Sequence, residues 1–239
     1  MNNVLEMTTG QIVVQDYRNS SVFDNYKIDY YNMGYEKLSE ACQLRKIKSE
    51  DVIKELESLK SVSNSNEENY NSWSLDALID EIELKQRRFI VDRTVEIKNL
   101  LHNINRIRGR YDSEITDVLN IINHFSGEMS VHLMKERLLL FPYVKKLAEA
   151  KKMRTKTGPL DYSTFDFAVK VMKDEHKNEV NYIKQIAELT NNFIPPDREE
   201  GYRILYTLFK SLKKELIQII HLENNILFPK AIELEKELV

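Results

Sequence analysis

Apolar and polar positions along residues 75–239 fall into four long blocks with a helical repeat. In the first, from about Leu75 to Ile104, residues Leu75, Leu78, Ile82, Phe89, Ile97, Leu100 and Ile104 line one stripe. The second, from about Tyr111 to Lys152, carries Phe125, Met129, His132, Glu136 and Leu139 at steps of three and four. The third starts at Ser163, where Ser163 and Asp166 form a capping-box-like pair. Its seam runs through Val169, Met172, His176, Val180, Ile183 and Ala187. The fourth starts near Asp197 and carries Leu205, Leu208, Leu212, Leu216, Ile219 and Glu223. Four amphipathic helices with short connections predict an all-α, antiparallel up-down four-helix bundle over residues 75–239.

Ahead of the bundle, residues 61–74 read "SVSNSNEENYNSWS", almost without apolar content, which marks a polar linker. Residues 1–60 predict a small helical N-terminal domain. Its clearest helix follows Ser49, an N-cap with Glu50 and Asp51 in the first turn. Pro142 and Pro229 fall inside helical patterns and are expected to kink their helices at matching depths.

Composition agrees with this class. Among 239 residues there are six Gly and five Pro, with long runs of Leu, Ile, Lys and Glu. The net charge is -3 with both signs interspersed, so no nucleic-acid partner is indicated. No apolar run approaches membrane-spanning length, so no membrane partner is expected. The first residues lack the basic head and apolar core of a secretory signal. Cys42 is the single cysteine, which excludes an internal disulfide and points to a reducing, cytoplasmic setting.

The polar residues inside the seams change the picture. His132 and Glu136 are four apart and share a helix face. His176 sits between apolar positions, and Glu223 follows Ile219. Glu136 and Glu223 each precede a Phe by five residues and a Pro by six. A lone histidine on an apolar face is more often a satisfied core residue. Two histidines and two glutamates on three helices are a different matter, because buried carboxylates are costly unless paired or bound to a metal. His132, Glu136, His176 and Glu223 are therefore the candidate metal ligands. No His-Glu-x-x-His, Gly-x-Ser-x-Gly or nucleotide-binding fingerprint occurs, so no conventional catalytic activity is expected. His221, two residues from Glu223, is expected at the surface, and His102 and His124 have no nameable partner. Trp73 is expected to anchor the first bundle helix, and Asn224 and Asn225 to satisfy backbone groups freed by Pro229. The basic run from Lys145 to Lys156 is a solvated helix end.

"HLMKERLLLFPYVKKL", "VMKDEH" and "HLENNILFPKAIELEKEL" resemble the hemerythrin-like domain of the repair-of-iron-centres (RIC) di-iron proteins. "SVFDNYKIDYYNMGYEKLSEACQLRKI" resembles their small N-terminal domain. The resemblance covers nearly the whole chain. It implies a non-haem di-iron centre tied to iron–sulfur cluster repair and the response to nitric oxide and oxidative stress. The partners it implies are damaged iron–sulfur proteins; a homodimer is a separate candidate assembly, which no sequence feature fixes. The family's ligands are four histidines and two bridging glutamates; His132, Glu136, His176 and Glu223 match. The other two histidine positions fall at Arg87 and Ile219, so iron is expected as one ion or none. The adjacent cysteines of the family's Asp-Tyr/Phe-Cys-Cys-Gly-Gly motif are absent from Asp29-Tyr30-Tyr31-Asn32-Met33-Gly34.

Two forms of the site follow. In one, a single ion sits among the four matching residues. In the other, a metal-free, non-catalytic binding or regulatory relative, Arg87 reaches Glu136 and Glu223 and its guanidinium replaces the metal charge. A sensor of oxygen or nitric oxide is a third reading.

Overall fold

The computed structural model describes residues 2–60, 69–109, 112–158, 164–195 and 200–239. The fold is all-α. Among the described residues there is no β-strand, only an isolated bridge between Thr8 and Lys37.

Five short helices come first: α1 (Asn2–Glu6), α2 (Thr9–Gln15), α3 (Asn19–Asn25), α4 (Leu38–Arg45) and α5 (Ser49–Lys60). Helix α2 opens with a complete capping box, in which Thr8 accepts from Gln11 N–H and the Gln11 side chain accepts from Thr8 N–H. Four rods follow. Rod A joins α6 (Leu75–Lys85) to α7 (Asp92–Arg108) through a π-helical turn, π1 (Gln86–Val91). Rod B joins α8 (Ser113–Lys135) to α9 (Phe141–Met153) through π2 (Glu136–Leu140). Rod C is α10 (Phe165–Leu189). Rod D joins α11 (Glu200–Leu222) to α12 (Phe228–Leu238) through π3 (Glu223–Leu227).

The rods run antiparallel. Helix α7 packs on α8 and α6 on α9, while Gly201, at the start of rod D, faces Ile104 near the end of rod A. One continuous apolar core runs through the bundle and under the N-terminal helices, from Val13 and Phe23 to Phe125, Phe209 and Phe228. Trp73 packs at the edge of this core against Tyr70, with ring centroids 4.9 Å apart.

The π turns refine several expectations. Pro142 and Pro229 lack an N–H, but their helices continue, because each lies in the first turn after a π segment. There the N–H of Phe141 donates to the Glu136 carbonyl, and that of Phe228 to the Glu223 carbonyl, each a step of five. The extra residue shifts the buried face by one position: Leu140 is buried where Leu139 was expected, and Ile90 in place of Phe89. Helix α10 is capped by Thr164, whose hydroxyl accepts from Phe167 N–H. Ser163, Asp197 and residues 61–68 of the expected linker lie outside the described residues.

The N-terminal helices pack against rod D. Asn225 Nδ2 donates to the Tyr30 carbonyl at 2.9 Å, and Asn224 Nδ2 to the Tyr31 carbonyl at 3.0 Å. The two asparagines thus serve the N-terminal segment rather than the rod's own backbone. Gly10 and Gly34 leave room for this: a Cβ at Gly10 would meet the Asn225 Oδ1 atom at 2.7 Å, and one at Gly34 would clash with the same atom.

His221 is a second departure. It was expected at the surface, but it is only 1 % exposed, because the N-terminal helices cover that side of rod D. The Tyr17 and Tyr30 rings lie 5.7 Å from its ring, and Asn225 Nδ2 lies 2.9 Å from its Nδ1. Burial pushes its pKa down to about 3. A folded pKa below the unfolded value near 6.5 means that only the unfolded chain takes the proton between those limits. Stability therefore falls as pH drops from about 6.5 toward 3, by about 1.4 kcal/mol per pH unit from this group. Urea unfolding at pH 7 and pH 5 checks it: the loss between the two should be about 2 kcal/mol smaller in His221→Gln than in the wild type.

Candidate metal centre

Each π turn begins with a polar residue directed inward. Gln86, Glu136 and Glu223 are the first residues of π1, π2 and π3, and all three are buried. Single π turns inside α-helices recur at functional sites, because the added residue turns a side chain out of the regular packing. The repeated Glu-x4-Phe-Pro is the sequence form of this device in rods B and D. In rod D its Phe228 stacks on the His176 ring at 6.3 Å with 5° between the planes.

His132, Glu136, His176 and Glu223 come together between rods B, C and D, and their exposures are 3 %, 0 %, 1 % and 1 %. One ligand atom from each lies within 4.8 Å of the others. His132 Nε2 is 3.3 Å from Glu136 Oε1, and His176 Nε2 is 2.9 Å from Glu223 Oε2. The second contact is close, yet it lacks hydrogen-bond geometry, and His176 Nε2 and Glu136 Oε1 are both buried without a hydrogen-bond partner. Unpartnered buried donors and acceptors are expensive in a protein interior. Two such atoms in a set of two imidazoles and two carboxylates fit a metal ion, whose ligands point at a common centre rather than at one another. Donors about 2 Å from an ion lie up to roughly 4 Å apart, so the set matches one ion after a small contraction.

The far nitrogens are held from behind, as metal-bound histidines require. His132 Nδ1 is 3.0 Å from Glu175 Oε2 and 3.2 Å from Glu179 Oε1, and Lys135 pairs with Glu175. A single Nδ1–H serves one of the two, and Glu179 Oε1 is left without a hydrogen bond. His176 Nδ1 is 3.0 Å from Asn224 Oδ1.

Burial opposes charge on His132, but Glu136, Glu175 and Glu179 more than offset it and hold the pKa well above the usual histidine range. Burial lowers His176, with repulsion from His132 adding to the effect. Burial and the neighbouring Glu136 carboxylate push Glu223 well above the ordinary carboxylate range. Burial raises Glu179 to about 7 against the pull of His132. The hydrogen bond from His132 holds Glu175 down at about 2.

Rod A supplies neither a histidine nor the expected arginine. Arg87 is exposed, so its guanidinium does not neutralise the two carboxylates. The buried residue is its neighbour: Gln86 Nε2 donates to Glu136 Oε2 at 2.6 Å and to Glu223 Oε1 at 3.1 Å. Gln86 lies four residues after the buried Ile82 and so continues the α6 stripe inward, which leaves Arg87 on the solvent side. Ile219 is buried at 3 % one turn before Glu223 and offers no ligand atom. His102 and His124 are exposed. Glu175, Glu179 and Asn224 were not picked out as site residues; each adjoins a candidate ligand or follows one by three.

Comparison with known proteins adds to this. Residues 5–60 match the family model ScdA_N, described as a domain of unknown function (DUF542). The chain is 28 % identical over 215 residues to a Haemophilus influenzae protein named "Probable iron-sulfur cluster repair protein", covering 89 % of this chain and 91 % of the relative. It is also 28 % identical over 224 residues to "Iron-sulfur cluster repair protein YtfE" of Escherichia coli O81, covering 93 % and 95 %. The protein of the same name in Escherichia fergusonii matches to the same extent, 28 % over 224 residues. No helix among the described residues is long and apolar enough to cross a membrane.

Proposed function

Because this chain belongs to the repair-of-iron-centres family, we propose that it acts in the repair of damaged iron–sulfur clusters through one metal ion held by His132, Glu136, His176 and Glu223. The observation that carries this reading is the convergence of four buried donor groups, two of whose facing atoms have no hydrogen-bond partner. Iron is the ion that the family relationship favours, and imidazole with carboxylate is a ligand set that accepts it. Bound there, iron supplies redox chemistry and coordination positions left free by a four-residue protein set.

The chain's own residues do the rest. Glu175 and Asn224 fix the rings of His132 and His176 with Nε2 toward the centre. Gln86 keeps the two carboxylates together by donating to both. Phe228, stacked on His176, and the buried Ile219, one turn before Glu223, keep water from around the donors. Burial and Glu136 raise the Glu223 pKa in the metal-free centre, so an ion competes with a proton for this carboxyl. Damaged iron–sulfur proteins are the proposed targets, in the cytoplasm, with a homodimer as the proposed assembly.

One observation favours a second reading. The Gln86 amide already donates to one oxygen of each carboxylate without an ion, and burial beside Glu136 disfavours charge on Glu223. A metal-free binding module would use the same centre with Gln86 in the role first given to Arg87. Recovery of a nitric-oxide-damaged iron–sulfur protein separates the readings. Iron-loaded wild type should restore its cluster absorbance, and Glu223→Gln treated identically should not. Equal recovery with both, or with neither, would reject repair through this centre.

A further inference from the structure

We propose that the docked N-terminal segment is a working part of the metal centre, with Asn224 as the positioning residue that couples the two. This rests on the metal reading above. One side chain joins both: Asn224 Nδ2 donates to the Tyr31 carbonyl at 3.0 Å, and its Oδ1 faces His176 Nδ1 at 3.0 Å. An amide has one acceptor end and one donor end. With the NH2 committed to a carbonyl, the oxygen must face the ring, so Nδ1 carries the hydrogen. The lone pair of His176 is then on Nε2, toward Glu223. The backbone of Tyr31 thus sets the orientation of Asn224, and Asn224 sets the tautomer of a metal ligand.

The coupling is enclosed. Asn224 is 5 % exposed and His176 1 %, so water cannot readily substitute for either contact. If the N-terminal segment leaves, Asn224 loses the carbonyl that holds its donor end and is free to turn its NH2 toward Nδ1. That would stabilise the opposite tautomer and place a hydrogen on the atom that faces the ion. Asn225 supports the same docked state through the Tyr30 carbonyl, and Gly10 and Gly34 give it space. Free-energy coupling is reciprocal: if docking tightens the ion, the ion tightens docking by the same factor.

Cobalt(II) serves as the probe, with binding followed by its visible absorption. Amide hydrogen exchange of residues 8–34 in the full chain reports docking. Cobalt should slow exchange of these amides in the wild type at least tenfold, and in Asn224→Leu it should not. Gly34→Val, whose side chain would press on Asn225 of rod D and on the Tyr30 carbonyl and so wedge the segment away, should weaken cobalt binding by about tenfold or more, the scale of losing a residue that orients a ligand. Asn225→Ala, a milder change should Gly34→Val fail to fold, should weaken it in the same direction. Wild type that binds cobalt but exchanges at the same rate with and without it would overturn the coupling and leave the metal centre standing. Wild type that binds no cobalt would overturn both.

Discussion

Replacing His176 with alanine is expected to lower metal affinity by on the order of a hundredfold or more, while the helical fold persists. Loss of a residue behind a metal ligand alone costs about ten- to a hundredfold, and loss of the ligand itself should cost more. The direction is fixed by the surroundings of the ring. His176 is 1 % exposed, with Phe228 stacked on it and Asn224 holding its Nδ1, so no other imidazole can reach the gap. The nearest, His132, has its ring centroid 5.0 Å away and its Nδ1 committed to Glu175. Glu136→Gln should behave similarly, because it replaces an anionic ligand whose Oε1 has no hydrogen-bond partner. Equilibrium dialysis against iron(II) or cobalt(II) gives the comparison, with circular dichroism as the check on folding.

The second large effect concerns two adjacent residues with opposite fates. In metal-free protein, Gln86→Leu should cost roughly 2–5 kcal/mol, because it withdraws the shared donor from two buried carboxylates. Arg87→Ala should stay within about 0.5 kcal/mol, the range for an exposed position. A bound ion should shrink the Gln86→Leu penalty, because it supplies charge to the oxygens that the amide had served. Urea midpoints with and without metal test all three statements. A large loss from Arg87→Ala, with Gln86→Leu silent, would return the neutralising role to Arg87.

These two residues show what the sequence could reveal. The four rods were legible because each has a long apolar stripe with a period near 3.6, and the candidate ligands sit on those stripes. The same stripe reached Gln86, four residues after Ile82. Family resemblance moved the site one residue on, to Arg87. Periodicity was right at that point, because Gln86 lies in the regular α6 register ahead of the extra residue. Beyond it the π turn matters: it adds one residue, so the buried face slips by one, which explains Leu140 for Leu139 and Ile90 for Phe89. A proline just after the turn hinted at π2 and π3, but none follows π1 in α7.

His221 failed for a different reason. A helical wheel places it away from Glu223, and in a helix with one buried side that means solvent. Rod D is covered on two sides, by the bundle and by the N-terminal helices, so residues 219 to 224 are all buried. Nothing in the rod's own pattern identified the second cover. Asn224 and Asn225 carried the signal, two adjacent amides in a buried stretch, but their partners are backbone carbonyls that no sequence pattern exposes. Glu179 carries no signal of its own in a helix of mixed charge; the packing of rod C on rod B is what leaves it 3 % exposed beside His132.

Metal content after loading with iron(II) and desalting tests the central claim most directly. One ion retained per chain in the wild type, and none in His176→Ala, is the predicted result. Wild type that retains no ion, or His176→Ala that retains as much as the wild type, would contradict a metal centre built on His132, Glu136, His176 and Glu223.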